Sequence, residues 1–143
     1  MRTEPLKKKD VTRQWFIIDA KGKVLGRAAS QIACLLTGKY LPNFTPSVDG
    51  GAGVIVLNCD KVVVTGDKSN QKIYKSFSGY PGGLKTTVYS EMMAKKPKHI
   101  LRHAVRGMLP RSIIGDQIIK RLKLYVNGEH PHIAQKPIEF KLK

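Results

Sequence analysis

The sequence contains few of the features that mark secreted, membrane-spanning or metal-dependent proteins. Only two of its 143 residues are cysteines, and Cys34 and Cys59 form no C-x-x-C pair, which excludes zinc-ribbon and thioredoxin-type motifs. Both lie in apolar runs, where a buried free thiol is the usual state. Residues 1–14 have no apolar signal-peptide core, and no apolar stretch reaches the length of roughly 18 residues that a membrane span needs. We therefore expect a protein of a reducing, intracellular compartment.

Acidic residues are also scarce. The chain has 10 Asp and Glu against 26 Lys and Arg, which gives a net charge of +16 at pH 7. Such an excess causes self-repulsion unless a polyanion neutralises it, and this favours nucleic acid first and an anionic membrane surface second. The charge is uneven, because residues 61–125 carry +11 whereas residues 15–60 carry +1. We expect one domain, residues 1–143, with a nearly neutral scaffold half and a basic binding half.

Two short apolar runs, 15–19 and 54–58, have the length and β-branched content of buried strands. Between them lies a helical pattern that ends at Gly38 and Lys39, followed by a turn-rich connection. The residues at helical spacing on one face are Leu25, Ala29, Ile32 and Leu36. Strand, helix and strand in this order predict a parallel sheet with a right-handed crossover, and hence the α/β class.

The binding half begins with further strand patterns. "KVVVTG" at 61–66 predicts a third short strand. In "QKIYKSFS" at 71–78, Ile73, Lys75 and Phe77 alternate with Lys72, Tyr74 and Ser76, which is typical of a basic and aromatic strand. "LKTTVY" at 84–89 follows a glycine-rich loop, so the two segments predict a hairpin. "KLYV" at 123–126 predicts one more strand.

Helices are predicted in the rest of this half. "SEMMAKKP" indicates a capped helical turn, and Pro97 opens a basic amphipathic helix, "KHILRHAVRGML". Its apolar stripe lacks the bulky aromatics of membrane-surface helices, so we interpret it as a core face. The stripe consists of Ile100, Leu101, Ala104, Val105 and Met108. Ser112 is positioned to cap a further helix, "IIGDQIIKRL". The ends are predicted to be a basic N-terminal extension at 1–14 and a surface-running tail at 126–143.

The loop "SFSGYPGGLK" at 76–85 resembles a phosphate-binding loop of an enzyme but lacks the required spacing. In a P-loop the lysine directly follows the last glycine, whereas Leu84 separates Gly83 from Lys85 here. The intervals between Gly79, Gly82 and Gly83 also differ from G-x-G-x-x-G. The sequence therefore predicts a tight turn rather than an ATP or dinucleotide site.

Carboxylates and histidines leave an enzymatic alternative open. Asp19 and Asp60 follow predicted parallel strands, where ligands and metals gather, and Asp49 is a third candidate for a Mg²⁺ site. Capping of turns is the more common role of such aspartates, and no second carboxylate lies at short spacing to either one. The alternative function is a small α/β metal-dependent RNA-processing enzyme that uses Asp19 and Asp60.

Two histidine pairs could chelate a metal, but the sequence around them favours contact with RNA or solvent. His130 and His132 have no cysteine or third histidine near them, and His99 and His103 lie among Arg and Lys. We therefore predict no metal site and no cofactor.

Aromatic and basic residues interleave around the glycine-rich loop. Lysines of this kind track phosphates, aromatics such as Tyr74, Phe77 and Tyr80 stack on unpaired bases, and glycines let the backbone approach a sugar-phosphate chain. The alternative is core packing for Phe77 and a solvated face for the lysines. The net charge of the binding half favours RNA binding.

Five segments, in chain order, resemble the bacterial large-subunit ribosomal protein L-thirteen family, and the resemblance covers Trp15 to Pro137. They are "WFIIDAKGKVLGRAASQIACLLTGK", "FTPSVDGGAGVIVLNCDKVVVTGDK", "KIYKSFSGYPGGLK", "AVRGMLPRS" and "LKLYVNGEHPHIAQKP". The resemblance implies a three-layer α/β/α fold with a four-stranded, mainly parallel sheet. It also implies that residues 78–85 form the family's RNA-contacting loop and that residues 106–110 form its other marked turn. Position 77 departs from the family's HTG-type pattern, so we assign it no RNA contact.

The resemblance further implies a structural, non-enzymatic constituent of the large ribosomal subunit that binds ribosomal RNA and acts early in assembly beside other ribosomal proteins. No membrane and no small-molecule substrate are expected. The location is a cytoplasmic ribosome, with an organelle-encoded ribosome as the alternative. The residues predicted to contact RNA are Lys39, Lys72, Lys75, Ser78, Tyr80, Gly82, Gly83, Lys85, Lys98, Arg102, Arg106, Arg111, Lys120, Arg121 and His130.

Overall fold

A four-stranded parallel sheet forms the centre of the computed structural model, which describes residues 6–142. Strand β1 (Trp15–Asp19) lies between β2 (Gly53–Leu57) and β6 (Ile138–Glu139), and β5 (Leu122–Leu124) pairs with the other edge of β2. All three pairings are parallel. The predicted α/β class with a four-stranded parallel sheet is confirmed.

Helix α1 (Leu25–Thr37) makes the crossover between β1 and β2. It stops at Gly38, which adopts the left-handed conformation at φ 79° and whose N–H donates to the carbonyls of Cys34 and Leu35. Glycine adopts this conformation without the penalty of a Cβ, so it ends the helix where the sequence predicted.

Five shorter elements precede or follow the second major helix, α4 (Pro97–Met108), which packs against α1. They are the helices α2 (Lys68–Gln71), α3 (Tyr89–Lys95) and α5 (Ile113–Ile118) and the antiparallel strands β3 (Ile73–Phe77) and β4 (Leu84–Val88). Pro97 occupies the first position of α4, where its missing N–H costs nothing. The predicted hairpin and the predicted start of α4 are both confirmed.

Side-chain alternation divides the sheet into two faces. Ile18, Val54 and Val56 belong to one buried cluster with the apolar stripes of α1 and α4. Ile55 lies on the opposite face and is also fully buried, but outside that cluster. Trp15 shares this second face, where its ring stacks on His132 at a centroid distance of 6.1 Å. The two helices therefore cover one face, and residues near His132 cover part of the other.

Details of the second half differ from the sequence predictions. The strand predicted at 61–66 is wrong, since only Val63 forms an isolated bridge, with Val24. Ser112 caps α5 as predicted, and accepts from the Gly115 N–H at 3.4 Å. The helix is shorter than predicted, however, and continues as a 3₁₀ turn, Ile119–Arg121. No side chain caps α3, which begins at Tyr89.

The tail predicted to run over the surface is partly built into the fold. Ile138–Glu139 form β6, Leu142 is buried, and the Lys23 ammonium donates to the Leu142 carbonyl at 2.8 Å. The predicted surface course of 126–143 therefore fails at Leu142, whereas Ile138 and Glu139 are exposed on an edge strand. Residues 1–5 of the predicted N-terminal extension lie outside the described part of the chain.

The cysteines differ in burial. Cys59 is buried as predicted, and burial raises the pKa of its thiol to about 11. Cys34 is half-buried. Within residues 6–142, no helix is long and apolar enough to cross a membrane.

Candidate nucleic-acid interface

A basic cleft of about 890 Å³ lies between the start of α4 and strand β5. Apolar residues of β5 form part of its wall, the charged side chains along it are all cationic, and no carboxylate from the described residues lines it. The cationic and imidazole side chains along it are Lys95, Lys96, Lys98, His99, Arg102, Lys120 and Lys123. We call this set the basic cleft. Because field lines concentrate in a concave surface of one sign, the cleft attracts anions more strongly than scattered lysines would.

Local structure brings these side chains together. Helix α3 ends at Lys95 and α4 begins at Pro97, so the run "KKPK" folds around a helix start. The partial positive charge of the α4 N-terminus adds to that of the lysines. Across the cleft, the Lys98 ammonium lies 5.6 Å from the centre of the Tyr125 ring, a cation–π contact that positions the lysine over the strand side.

The outer face of α4 continues the positive surface. Arg102, His103 and Arg106 are exposed there, while Ile100 and Leu101 are buried beneath. The rings of His99 and His103 stack at 5.9 Å, and Tyr74 meets His103 edge-on at 5.5 Å. Partial burial, followed by the nearby His99, Lys72 and Arg106, holds the pKa of His103 below its usual value. Positive neighbours of this kind disfavour a bound cation.

The hairpin loop is a self-supporting turn. Gly79 and Gly82 adopt φ 90° and 72°, and the Gly83 N–H donates to the Tyr80 carbonyl at 2.9 Å. A Cβ on Gly83 would collide with the Ser78 hydroxyl oxygen and lie 2.9 Å from the Tyr80 carbonyl oxygen. The close approach that requires glycine at position 83 is therefore within the loop itself.

The structure distributes the sequence-predicted RNA residues over several places. The basic cleft contains Lys98, Arg102 and Lys120. The hairpin and its approach carry Lys72, Lys75, Ser78, Tyr80, Gly82, Gly83 and Lys85. Arg106 and Arg111 line a groove beside α5 that also contains Asp116, and Arg106 pairs with this aspartate at 3.3 Å. Lys39 lines a separate, mainly apolar cleft beside α1. His130 stacks on His132.

Tyr74 and Arg121 are largely enclosed by the rest of the protein. Tyr74 is only 7% exposed. The Arg121 guanidinium pairs with both carboxylate oxygens of Asp49, and it donates to the carbonyls of Leu36 at 3.0 Å and Ala52 at 3.3 Å. Its donors hold the scaffold half to the 3₁₀ turn that precedes β5. The sequence did not reveal this structural role of Arg121, because its partner Asp49 lies 72 positions away.

Sequence reasoning missed three residues of the basic cleft. Lys95 and Lys96 belong to the run "KKPK", whose density of charge at a helix start was a usable signal. Lys123 is the middle residue of "LKL" in β5, and the alternation of side chains along a strand places it on the face opposite to the two leucines. Neither the charge run nor the alternation in β5 predicts that these two segments lie opposite each other in the fold.

The aspartates proposed for the enzymatic alternative either make structural contacts or lie apart from other side chains that could bind a metal. One oxygen of Asp19 accepts from the Asn58 amide at 2.8 Å and from the Lys21 N–H at 3.0 Å. Asp49 is occupied by Arg121 and by Arg13, whose nitrogen is 3.6 Å away. Among residues 6–142, no three His, Cys, Asp or Glu side chains are grouped so as to hold a metal ion. Asp19 is thus a turn acceptor, which was the alternative reading of its sequence position.

Replacing Asp19 with asparagine should remove a pH-dependent part of the stability. The hydrogen bond from Asn58, followed by that from Lys21, lowers the pKa of Asp19 in the folded protein. A lowered folded-state pKa stabilises the fold above the ordinary aspartate value of about 4 and less as the pH falls through the folded value. Thermal unfolding from pH 7 to pH 3 should therefore show a flatter profile for Asp19→Asn. An unchanged profile would contradict the hydrogen-bond assignment.

Comparison with known proteins agrees with this architecture and charge. The family model described as ribosomal protein L13 matches residues 13–131. A large ribosomal subunit protein uL13 of Caldanaerobacter subterraneus subsp. tengcongensis is 55% identical over 137 residues, which cover 96% of each chain. The uL13 proteins of Chloroflexus aggregans and Psychrobacter sp. are 53% and 51% identical and cover 96% and 97% of this chain. With near-complete coverage at this identity, the chain belongs to the ribosomal protein L13 family.

Proposed function

We propose that this protein is a structural constituent of the large ribosomal subunit and binds ribosomal RNA through the basic cleft and the outer face of α4. The observation that carries the proposal is a concave surface whose charged side chains are lysine and arginine, with no carboxylate among the described residues that line it. Relatives named large ribosomal subunit protein uL13 support the same assignment. The ligand is the sugar-phosphate backbone, whose regular negative charges match a row of cations.

The unequal charge of the two halves supports a one-sided arrangement. The scaffold half supplies β1, α1 and β2 and is nearly neutral, whereas residues 61–125 carry +11. Residues 1–143 act as one domain in this proposal, with RNA on the basic side and neighbouring ribosomal proteins elsewhere. Early entry into subunit assembly and a location in a cytoplasmic ribosome belong to the same proposal.

A structural role explains the site better than the enzymatic alternative. The candidate Mg²⁺ ligand Asp49 is neutralised by Arg121, and Asp19 supports a turn. The basic cleft offers cations for binding, and within residues 6–142 no carboxylate lines it that could act as a general base. Metal-dependent cleavage of RNA that disappears in Asp19→Asn or Asp60→Asn would contradict this view.

Binding to large-subunit RNA should depend steeply on salt. Each phosphate contact contributes a slope of about −0.7 to −0.9 to log K against log salt, because bound counterions are released. The double substitution Lys98→Ala and Lys123→Ala should therefore flatten the slope by about two contacts' worth. Filter binding of the purified protein to large-subunit RNA at several salt concentrations measures this.

The matched control for the salt experiment is Lys21→Ala. Lys21 is exposed in the turn after β1, outside the cleft, and its known hydrogen bond uses the backbone N–H. This variant should keep the wild-type slope. A slope near zero for the wild-type protein would contradict electrostatic binding. If Lys21→Ala flattened the slope as much as the double substitution in the cleft, the cleft would have no special role in RNA binding.

A further inference from the structure

Two histidines form a stacked pair on the outer face of α4. His99 and His103 are about one helical turn apart, the centroids of their rings are separated by 5.9 Å, and the angle between the ring planes is 29°. Both residues are exposed, and we call them the histidine pair. The buried Tyr74 of β3 meets both rings edge-on, at 6.3 Å from His99 and 5.5 Å from His103. Tyr74 therefore supports the inner side of the pair, while its outer side is open to a ligand.

The charges that act on the histidine pair are positive. The Lys72 ammonium lies 5.6 Å from the centre of the Tyr74 ring, which contacts both histidines. Lys72 and Arg106 each disfavour a further positive charge on His103. His99 also lines the basic cleft, where every charged side chain among the described residues is a cation. These surroundings favour an anion over a metal ion as a ligand of the pair.

No carboxylate of the described residues forms an ion pair with either histidine. Glu91 of α3 pairs with Lys95, and Asp116 of α5 pairs with Arg106. Other charged residues belong to the remaining elements that pack closely on α4, and most of them are cations. They are Arg27 of α1, Asp60 and Lys61 of the 3₁₀ turn at 59–61, Lys120 and Arg121 of the 3₁₀ turn at 119–121, and Lys123 of β5. Within residues 6–142 the pair has no paired negative group, so a ligand has to supply one.

Proton binding by the histidine pair is therefore coupled to the arrival of an anion. Histidine ordinarily changes its charge near pH ~6.5. Partial burial, followed by the charges of His99, Lys72 and Arg106, holds the pKa of His103 below this usual value, so its imidazole is mainly neutral at pH 7 in the free protein. A negative charge brought within about 4–6 Å favours the protonated form. Two stacked and protonated rings repel each other unless an anion lies against both.

We infer that the histidine pair binds a phosphate group of RNA with both rings protonated, so that RNA binding takes up protons. This rests on the proposed function and adds a site and a dependence on pH to it. A protonated imidazole donates from both ring nitrogens, and hydrogen bonds between charged groups are about twice as strong as those between neutral groups. Because only the protonated pair binds phosphate in this way, RNA affinity should rise as the pH falls through the histidine range.

The test measures the affinity of the full-length protein for large-subunit RNA by filter binding at constant ionic strength, from about pH 8 to about pH 5.5, a range that spans the ordinary titration of histidine. The wild-type protein should bind about 10-fold to 100-fold more tightly at the acidic end, since each histidine contributes about tenfold when phosphate favours its protonated form by one pH unit. Titration calorimetry in buffers of different ionisation enthalpy should detect proton uptake on binding near neutral pH.

Two double variants and a control histidine connect the effect to the pair. His99→Gln with His103→Gln removes both titrating groups and should remove most of the gain at acidic pH. His99→Lys with His103→Lys carries both charges throughout and should bind tightly at every pH tested, with little further gain. His130→Gln replaces a histidine of the tail, outside α4, and should keep the pH dependence of the wild type. Thermal unfolding at both ends of the pH range checks that each variant is folded, as expected for exposed positions.

The outcomes separate this inference from the proposed function. If the wild-type protein binds large-subunit RNA at no pH in the range, the proposed RNA binding itself fails. If it binds with an affinity that does not rise at acidic pH, or if the double glutamine variant keeps the gain, only the inference about the histidine pair is overturned. A gain that disappears when a metal chelator is added would assign the pair to a bound metal ion and would overturn the inference as well.

Discussion

Replacing Arg121 with alanine should lower the free energy of unfolding by about 3–5 kcal/mol, as expected when one partner of a buried ion pair is removed. The Arg121 side chain is 11% exposed and that of Asp49 is 14% exposed. Loss of the guanidinium leaves the aspartate with only the half-exposed Arg13, whose nitrogen is 3.6 Å away, and removes donors from the Leu36 and Ala52 carbonyls. Since small domains are stable by only about 5–15 kcal/mol, urea unfolding should show a large loss.

Two variants control for the loss of an arginine in general. Arg121→Lys keeps a charge but cannot make the two-pronged contact, so its stability should lie between those of the wild type and Arg121→Ala. Arg106→Ala removes an exposed pair with Asp116 and should cost about 1 kcal/mol or less. If Arg121→Ala unfolds like the wild type but loses RNA affinity, then Arg121 contacts RNA and its structural assignment is wrong.

Truncating Ile100 to alanine should cost about 2–5 kcal/mol of stability, as is typical of large-to-small changes in a core. Ile100 is 1% exposed, on the face of α4 that belongs to the central cluster with α1. The protein that remains folded should bind RNA normally, because the basic outer face of the helix is unchanged. Thermal unfolding and filter binding below the transition measure the two properties separately.

Arg102→Ala, on the outer face of the same helix, should have the opposite profile. It should weaken RNA binding and flatten the salt dependence by about one contact's worth, while the unfolding transition stays near that of the wild type. If Ile100→Ala and Arg102→Ala lower stability and RNA affinity together, the division of α4 into a core face and a binding face is incorrect.

Local patterns predicted the elements whose signals lie within a few residues. The strand at 15–19, the stop of α1 at Gly38, and Pro97 at the start of α4 each depend on a short apolar run, a left-handed glycine or a fixed proline φ. The amphipathic stripe of α4 was correct at Ile100, Leu101 and Val105. Met108 at its end is exposed, because the helix terminates there and no partner covers that position among the described residues.

Features that depend on distant partners could not be predicted in this way. "KVVVTG" has strand composition but makes only one bridge, because β5 takes the place beside β2. Two residues of the proline-rich tail pair with β1, although a pair is too short to produce an alternating signal. Arg121 is predicted from its charge to contact RNA, and only the folded structure reveals that its guanidinium pairs with Asp49. The wall of the basic cleft likewise joins residues from two separate parts of the chain.

The proposed place in the large ribosomal subunit is tested most directly by sedimentation of a cell lysate through a sucrose gradient, with quantitative detection of this protein in each fraction. The protein should co-migrate with the large subunit and the whole ribosome, at one copy for each large subunit. Detection of the protein only at the top of the gradient, while large subunits sediment normally without it, would contradict the proposal.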